Sequence, residues 1–258
     1  MMRPAPALVA GVLFFVYCAA TAAAQGPRRR NRVLAGAAVG LLCVWAWAMV
    51  EPWTIPHDWL MPPIVLLVAY WTSGALFTSP SRRWEARLMA LDQALDIRGR
   101  SARAPRVVAE LLEIAYAGVY PLIPVALALH LTMTPRPDPD RFWTVILITD
   151  FICFTMLPLI QTRPPRALED GAPWRSSVRR LNTALLGAAS IGVNTFPSGH
   201  AAEALAVALL MLDAPMPVVS WMLLNAAAIA AGAVFGRYHY AADALAGYAV
   251  ALAVWWLL

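Results

Sequence analysis

Eight apolar runs separated by short polar segments constrain this chain more than any other feature. Runs long enough for about 20 helical residues, the length that crosses a bilayer core, fall at roughly 6–24, 33–50, 60–78, 107–133 and 142–161. Shorter or more interrupted runs follow at roughly 198–212, 217–235 and 239–258. Hydrocarbon offers no water to an unpaired backbone amide, so such runs resolve into helices. The expected fold is all-α: a polytopic transmembrane bundle with about eight spans. Composition agrees, since only 14% of residues are charged, against about a quarter in a soluble domain.

Charge placement gives a topology. All 20 basic residues are arginine, and the net charge of +5 lies mostly in loops. That pattern points to orientation and lipid-surface attraction, with no nucleic-acid patch. The segments 25–32, 79–106 and 162–197 carry 4, 7 and 5 arginines, whereas 51–59, 135–141 and 213–217 carry 0, 2 and 0. With eight spans, the positive-inside rule puts the first set in the cytoplasm. The expected location is a bacterial inner membrane, with the three phrases around Arg163, His200 and His239 on the cytoplasmic side by this arginine count and the oligomeric state left open. Ala22-Ala23-Ala24-Gln25 has the look of a signal-peptidase site. The cluster Arg28-Arg29-Arg30-Asn31-Arg32 that follows resists translocation, so a retained helix is preferred. Cys18, Cys43 and Cys153 sit in apolar runs without CxxC spacing, which suggests neither a metal site nor a disulfide framework.

Residues 1–59 read as accessory transmembrane helices and 60–258 as a catalytic membrane domain. Within the latter, Trp84, Leu88, Leu91 and Leu95 recur at helical spacing among Arg82, Arg83, Arg87, Asp92 and Asp96. An amphipathic helix in the headgroup layer over 79–106 explains this. Glu110, Glu113, Tyr116 and Tyr120 share one helical face. They face a bundle interior or polar cavity, or sit solvated at the helix start. Asp150, in mid-run, is expected to bond another helix or an arginine, with no role assigned. His57 and His130 read as structural hydrogen-bonding groups.

Three short phrases carry the chemistry: Thr162-Arg163-Pro164-Pro165-Arg166, Pro197-Ser198-Gly199-His200, and Gly236-Arg237-Tyr238-His239-Tyr240-Ala241-Ala242-Asp243. Each lies at the mouth of an apolar run, and all three emerge on one face if the last four helices span. Phosphoryl transfer needs cations and N–H donors around the equatorial oxygens, an in-line nucleophile and an acid for the leaving oxygen. Arg163 supplies a guanidinium fork. Ser198 and Gly199 open a helix whose free N–H groups and dipole favour an anion, and Gly199 permits close backbone approach. His200 is placed to donate a proton to the leaving alkoxide. His239 and Asp243 are four apart on one helical face, so the carboxylate can orient the imidazole for attack on phosphorus. These roles require no metal or cofactor.

At these residues the chain resembles the type 2 phosphatidic acid phosphatase (PAP2) superfamily of membrane lipid phosphatases and phosphotransferases. The resemblance covers roughly Phe142 to Leu258, and the two preceding helices complete a six-helix core, with two extra helices N-terminal to it. It implies His239 as the nucleophile that becomes phosphohistidine, Asp243 as its orienter and His200 as general acid. Arg163, Ser198 and Gly199 would bind the phosphate of a lipid substrate drawn from the membrane. Two positions depart from the pattern: a motif lysine falls on Met156 and a motif arginine on Ala233. Arg237 and Arg166 are the candidates to restore that charge. Thr-x-Pro-Pro-Arg, an Asn before Pro-Ser and Arg-Tyr-His-Tyr-x-x-Asp look more like the branch containing inositol-phosphorylceramide synthases. The expected activity is a lipid phosphate phosphatase acting on a phosphomonoester or diphosphate. The alternatives are a head-group phosphotransferase and a non-catalytic lipid-binding or transport protein.

Overall fold

Helices account for almost all regular structure in the computed structural model, which describes residues 5–258. Among those residues the chain forms α1 (Pro6–Ala22), α2 (Pro27–Ala48), α3 (Met61–Gly74), α4 (Arg82–Ala94), α5 (Ile97–Arg103), α6 (Arg106–Ala117), α7 (Leu122–Met133), α8 (Pro139–Thr155), α9 (Ser177–Ala189), α10 (Gly199–Leu210), α11 (Met216–Phe235) and α12 (Ala241–Leu257). Helices α1, α2 and α3 pack on one another, and α1 and α3 rest on α8. Helix α10 is central, meeting α8, α11 and α12.

Small residues make that centre possible. Helix α10 buries Ala201, Ala202, Ala204, Ala206 and Ala208, and small side chains let helix backbones approach closely. On α12, a Cβ at Gly247 would stand 2.5 Å from the Ser198 carbonyl oxygen and 3.1 Å from the Ala202 nitrogen. Both neighbours are backbone and cannot swing aside. Gly247→Ala is therefore expected to cost about 1–3 kcal/mol by overpacking, read as a lowered thermal midpoint of the purified protein.

Polarity is reversed relative to a soluble protein. Leu13, Leu42, Trp45, Leu224 and Trp256 face outward, while Glu113, Asp150 and Asp243 are buried. An apolar exterior of this kind suits lipid as solvent. Helices α2 and α11 are each long and apolar enough to cross a membrane, and the bent pair α6–α7 makes a third if read as one span. The shorter apolar helices α1, α10 and α12 fall below that length, so eight crossings do not follow from helix length.

Four features differ from the sequence expectation. Helix α2 starts at Pro27 and takes Arg28–Arg32 into its first turns, because proline suits a first helical position. The run at 107–133 is not one straight helix: α6 and α7 meet at 71° across Gly118 and Pro121, where proline lacks the N–H that a continuing helix needs. Segment 162–197 contains α9, capped by Ser176 accepting from the Arg179 N–H; its exposed Leu181 and Leu185 hid it among arginines. Helix α4 is amphipathic as expected, but the face it buries carries Glu85, Leu88 and Asp92, while Leu91 and Leu95 point outward. His57 and His130 keep structural partners: His57 Nδ1 pairs with Asp58 at 2.5 Å, and His130 Nε2 accepts from the Asp138 N–H at 3.0 Å.

Candidate active site

Asn194 ties the three phrases together. Its amide nitrogen donates to Thr162 Oγ1 at 3.0 Å and to Asp243 Oδ2 at 2.9 Å. Its backbone N–H donates to the Thr162 carbonyl at 2.9 Å, forming an isolated antiparallel bridge. Backbone bonds complete the junction: Ser198 N–H donates to the Asp243 carbonyl, and Arg166 N–H to the Arg237 carbonyl, at 2.9 and 3.0 Å. Tyr240 adds a hydroxyl bond to the Arg163 carbonyl at 3.0 Å. Segments far apart in the chain thereby close into one mouth.

The two motif histidines meet there. His200, in the first turn of α10, lies with its ring centroid 5.7 Å from that of His239, the planes 74° apart. Tyr116 presents its edge geometry to His200 at 5.5 Å and stacks flat on Tyr238 at 4.1 Å. His239 occupies the loop between α11 and α12, with Nδ1 3.3 Å from Asp243 Oδ2. That oxygen also accepts from the Tyr240 N–H at 3.0 Å, so its position is fixed from three sides. The Nδ1 contact leaves Nε2 as the nitrogen free to react. Burial, with the Arg166 charge second, pushes the His239 imidazole down to about 3. The ring is then neutral near pH 7 and keeps its lone pair.

The arginines divide. Arg166 lies over the Tyr238 ring at 5.4 Å and donates to the Tyr238 carbonyl at 3.4 Å. Among the described residues no carboxylate forms an ion pair with it. Arg163 belongs to the same loop, but its guanidinium and its backbone N–H all donate to Glu85, each at 2.9 Å. The hydrogen-bonded Arg163 holds the Glu85 carboxyl below its ordinary range. Arg237 is fully buried, donating to Asp92 at 2.6 Å and to Glu169 at 2.6 Å, with φ at +62°. A left-handed non-glycine residue is uncommon, and here the two acids hold it there. The geometry does not bring Arg237 to the histidines as a phosphate ligand; it anchors the His239 loop instead. Asp92 extends that anchor by accepting the Ala241 N–H at 2.9 Å.

The remaining candidates are local. Ser198 is buried, its Oγ accepting from the Ala201 N–H at 3.3 Å, so it caps α10. Gly199 lines a cavity of about 210 Å³ together with His200, Phe154, Trp71 and Leu66. Ala233 is buried under the Tyr116–Tyr238 stack, and its carbonyl accepts from the N–H groups of both Tyr238 and His239 at 2.9 Å. An arginine there would have to displace that stack. Met156 closes α8 without a polar side chain.

Sequence reasoning gave no role to Asn194, Glu85, Asp92 or Glu169. Only Asn194 carried a signal, as the Asn ahead of Pro197-Ser198 in the branch-like pattern. The acids lie on segments remote from the motifs, and nothing in their spacing announces their partners. Glu113 resolves in favour of the interior reading, whereas Glu110 stays partly exposed near the start of α6. Glu113 accepts from Trp174, Arg179, Asn182 and Tyr238, and Glu110 accepts from Ser176 Oγ and the Ser177 N–H at the start of α9.

No curated protein and no solved structure matches this chain. A family model described as PAP2 superfamily matches residues 86–257, about two thirds of the sequence. Membership of that superfamily, with an apolar exterior and helices able to cross a bilayer, indicates a membrane protein with a phosphatase-type function. The matched region takes in all three motif phrases and the helices that carry them, and the chain belongs to the PAP2 superfamily.

Proposed function

We propose that the protein is a lipid phosphate phosphatase that works through a phosphohistidine at His239. The observation that carries this reading is the pairing of His200 and His239 across one mouth, 5.7 Å apart by centroid, with Asp243 behind the second. In the first step His239 Nε2 forms a bond to phosphorus as the ester P–O bond breaks, and His200 gives its proton to the departing alkoxide. In the second, His200 takes a proton from water, the water oxygen bonds to phosphorus, and the P–N bond breaks. Asp243 orients His239 and stabilises the charge it acquires. Arg166, the arginine of the loop without a carboxylate partner, neutralises the phosphoryl oxygens, assisted by the N-terminus of α10 at Ser198 and Gly199. Arg163 contributes once it leaves Glu85. No step calls on a metal.

A second reading has a specific observation in its favour. The cavity that opens at His200 has apolar walls, including Leu66, Trp71 and Phe154, and an apolar cavity there suits a lipid alcohol better than bulk water. The protein would then be a phosphotransferase of the inositol-phosphorylceramide synthase-like branch. Thr162 and Asn194, two residues of that branch's pattern, are the ones that join the site together. For topology, the helices α1, α2, α3, α8, α10, α11 and α12 with the bent α6–α7 pair correspond to the eight apolar runs. This supports a six-helix core from α3 onward with α1 and α2 added, and the loop arginines favour a site on the cytoplasmic face of a bacterial inner membrane.

Phosphate release from a panel of lipid monophosphates and diphosphates, in detergent with EDTA and with lipid products analysed in parallel, separates the readings. Free phosphate is the expected product. A new phospholipid without free phosphate selects the transferase. Inertness toward every donor and acceptor overturns both and leaves a lipid-binding protein.

A further inference from the structure

Two carboxyl groups face the cavity beside His200 and take no part in the phosphoryl-transfer scheme. Asp150 projects from the middle of α8, and Glu203 lies one turn beyond His200 on α10, on the same helical face. Asp150 is only 2% exposed, and its Oδ2 has no hydrogen-bond partner. The other oxygen, Oδ1, stands 3.2 Å from where a Cβ at Gly199 would be. Glycine at that position therefore keeps the space in front of Asp150 open. Among the described residues lining the cavity, none is a lysine or arginine.

An acid in hydrocarbon surroundings is costly unless something answers it. No cation of the protein does so here. The phosphate is not suited to it, since the lining offers no cation, whereas Arg166 stands at the Tyr238 ring. A neutral hydrogen-bond donor entering with an apolar tail fits both the acids and the walls, which include Leu66, Leu67 and Trp71. We propose that this cavity binds a lipid through a free hydroxyl, held by Asp150 and Glu203. This deepens the reading of the site as lipid-handling and rests on it. The acids thereby select lipids that carry a hydroxyl beyond the oxygen bonded to phosphorus, and set that lipid's depth against His200. They are specificity residues, touching the lipid without touching phosphorus.

The test uses the full wild-type chain in detergent and a ligand without phosphate, so that binding is read apart from catalysis. Equilibrium binding of radiolabelled 1-monoacylglycerol is compared with the methyl ester of the same fatty acid, which has the tail and no donor. The monoacylglycerol is expected to bind at least tenfold tighter. Asp150→Leu and Glu203→Leu should each remove most of that preference. The near-isosteric Asp150→Asn and Glu203→Gln, which spare the cavity's shape, should weaken monoacylglycerol binding at least threefold while leaving the ester unchanged. Equal binding of the two lipids by wild type overturns the proposal, as does an unaltered preference in the Asn and Gln variants. So does tenfold tighter binding of an alkylamine, which would mark a site for a cation. Loss of all phosphatase activity with this preference intact would instead overturn the catalytic reading alone.

Discussion

His239→Ala is expected to lower phosphoryl transfer by on the order of 10⁴-fold or more, the scale seen when a covalent nucleophile is removed. The protein should still fold, because His239 makes one long side-chain hydrogen bond, to Asp243 at 3.3 Å, whereas the loop around it is held by backbone bonds from Tyr238 and His239 to Ala233. A companion variant separates nucleophile from acid. With an aryl phosphate, whose leaving group needs little protonation, His200→Ala should still pass the phosphoryl group to His239 but hydrolyse it slowly. Radiolabelled phosphate should then accumulate on the protein as an acid-labile, alkali-stable adduct, absent from His239→Ala. A His239→Ala protein that retains wild-type turnover, or a label that persists in it, sinks the assignment. Because His239 is held down at about 3, its protonation should not limit the rate until the pH falls close to that value. Above it the ring is already neutral, so a fall in rate between pH 5 and 7 would have to come from another group.

Glu113→Ala carries the largest expected stability effect. Its two carboxyl oxygens accept from Trp174 Nε1 at 2.8 Å, Arg179 Nη1 at 2.9 Å, Asn182 Nδ2 at 2.7 Å and the Tyr238 hydroxyl at 2.7 Å. The side chain is fully buried, and the Arg179 side chain is 11% exposed. Removing the carboxylate strands a buried guanidinium and three neutral donors, and breaking a buried pair from one side costs about 3–5 kcal/mol. The thermal midpoint of the purified protein should fall by many degrees. Glu113→Gln keeps the volume and one acceptor oxygen, so it should fall less. Activity should drop in both, since Tyr238 immediately precedes His239 and stacks under the Tyr116 ring that borders His200. An unchanged midpoint in Glu113→Ala would show that α9 is not docked on α6 through this residue.

What the sequence determined by itself follows from two local rules. Apolar runs set the all-helical class, since hydrocarbon admits little else, and the ends of most helices fall within a few residues of the run boundaries. The helix start at Ser198 and Gly199 was legible at short range; the shared helical face expected of His239 and Asp243 was not borne out, since α12 begins at Ala241 and His239 precedes it in the loop, so the two meet across the capping turn at Tyr240 instead. Proline and glycine also broke the 107–133 run at a point the letters name, although hydropathy alone passed over it.

Only the tertiary structure decided which of the motif charges are taken up by an acid partner. Arg163, Arg166 and Arg237 are equivalent in the sequence as arginines beside motifs. Their partners differ: Glu85 holds the first, Asp92 and Glu169 the third, and no acid of the described residues pairs with Arg166. Those acids come from helix α4 and from the loop before α9, and their approach depends on how the bundle closes. The same holds for Asn194, which bonds Thr162 and Asp243 from 32 and 49 positions away, and for Asp150, whose open oxygen matters only because Gly199 leaves space before it. Helix formation is dictated by residues within a few turns; the availability of a charge is dictated by whatever packs against it, and that is set by the fold as a whole.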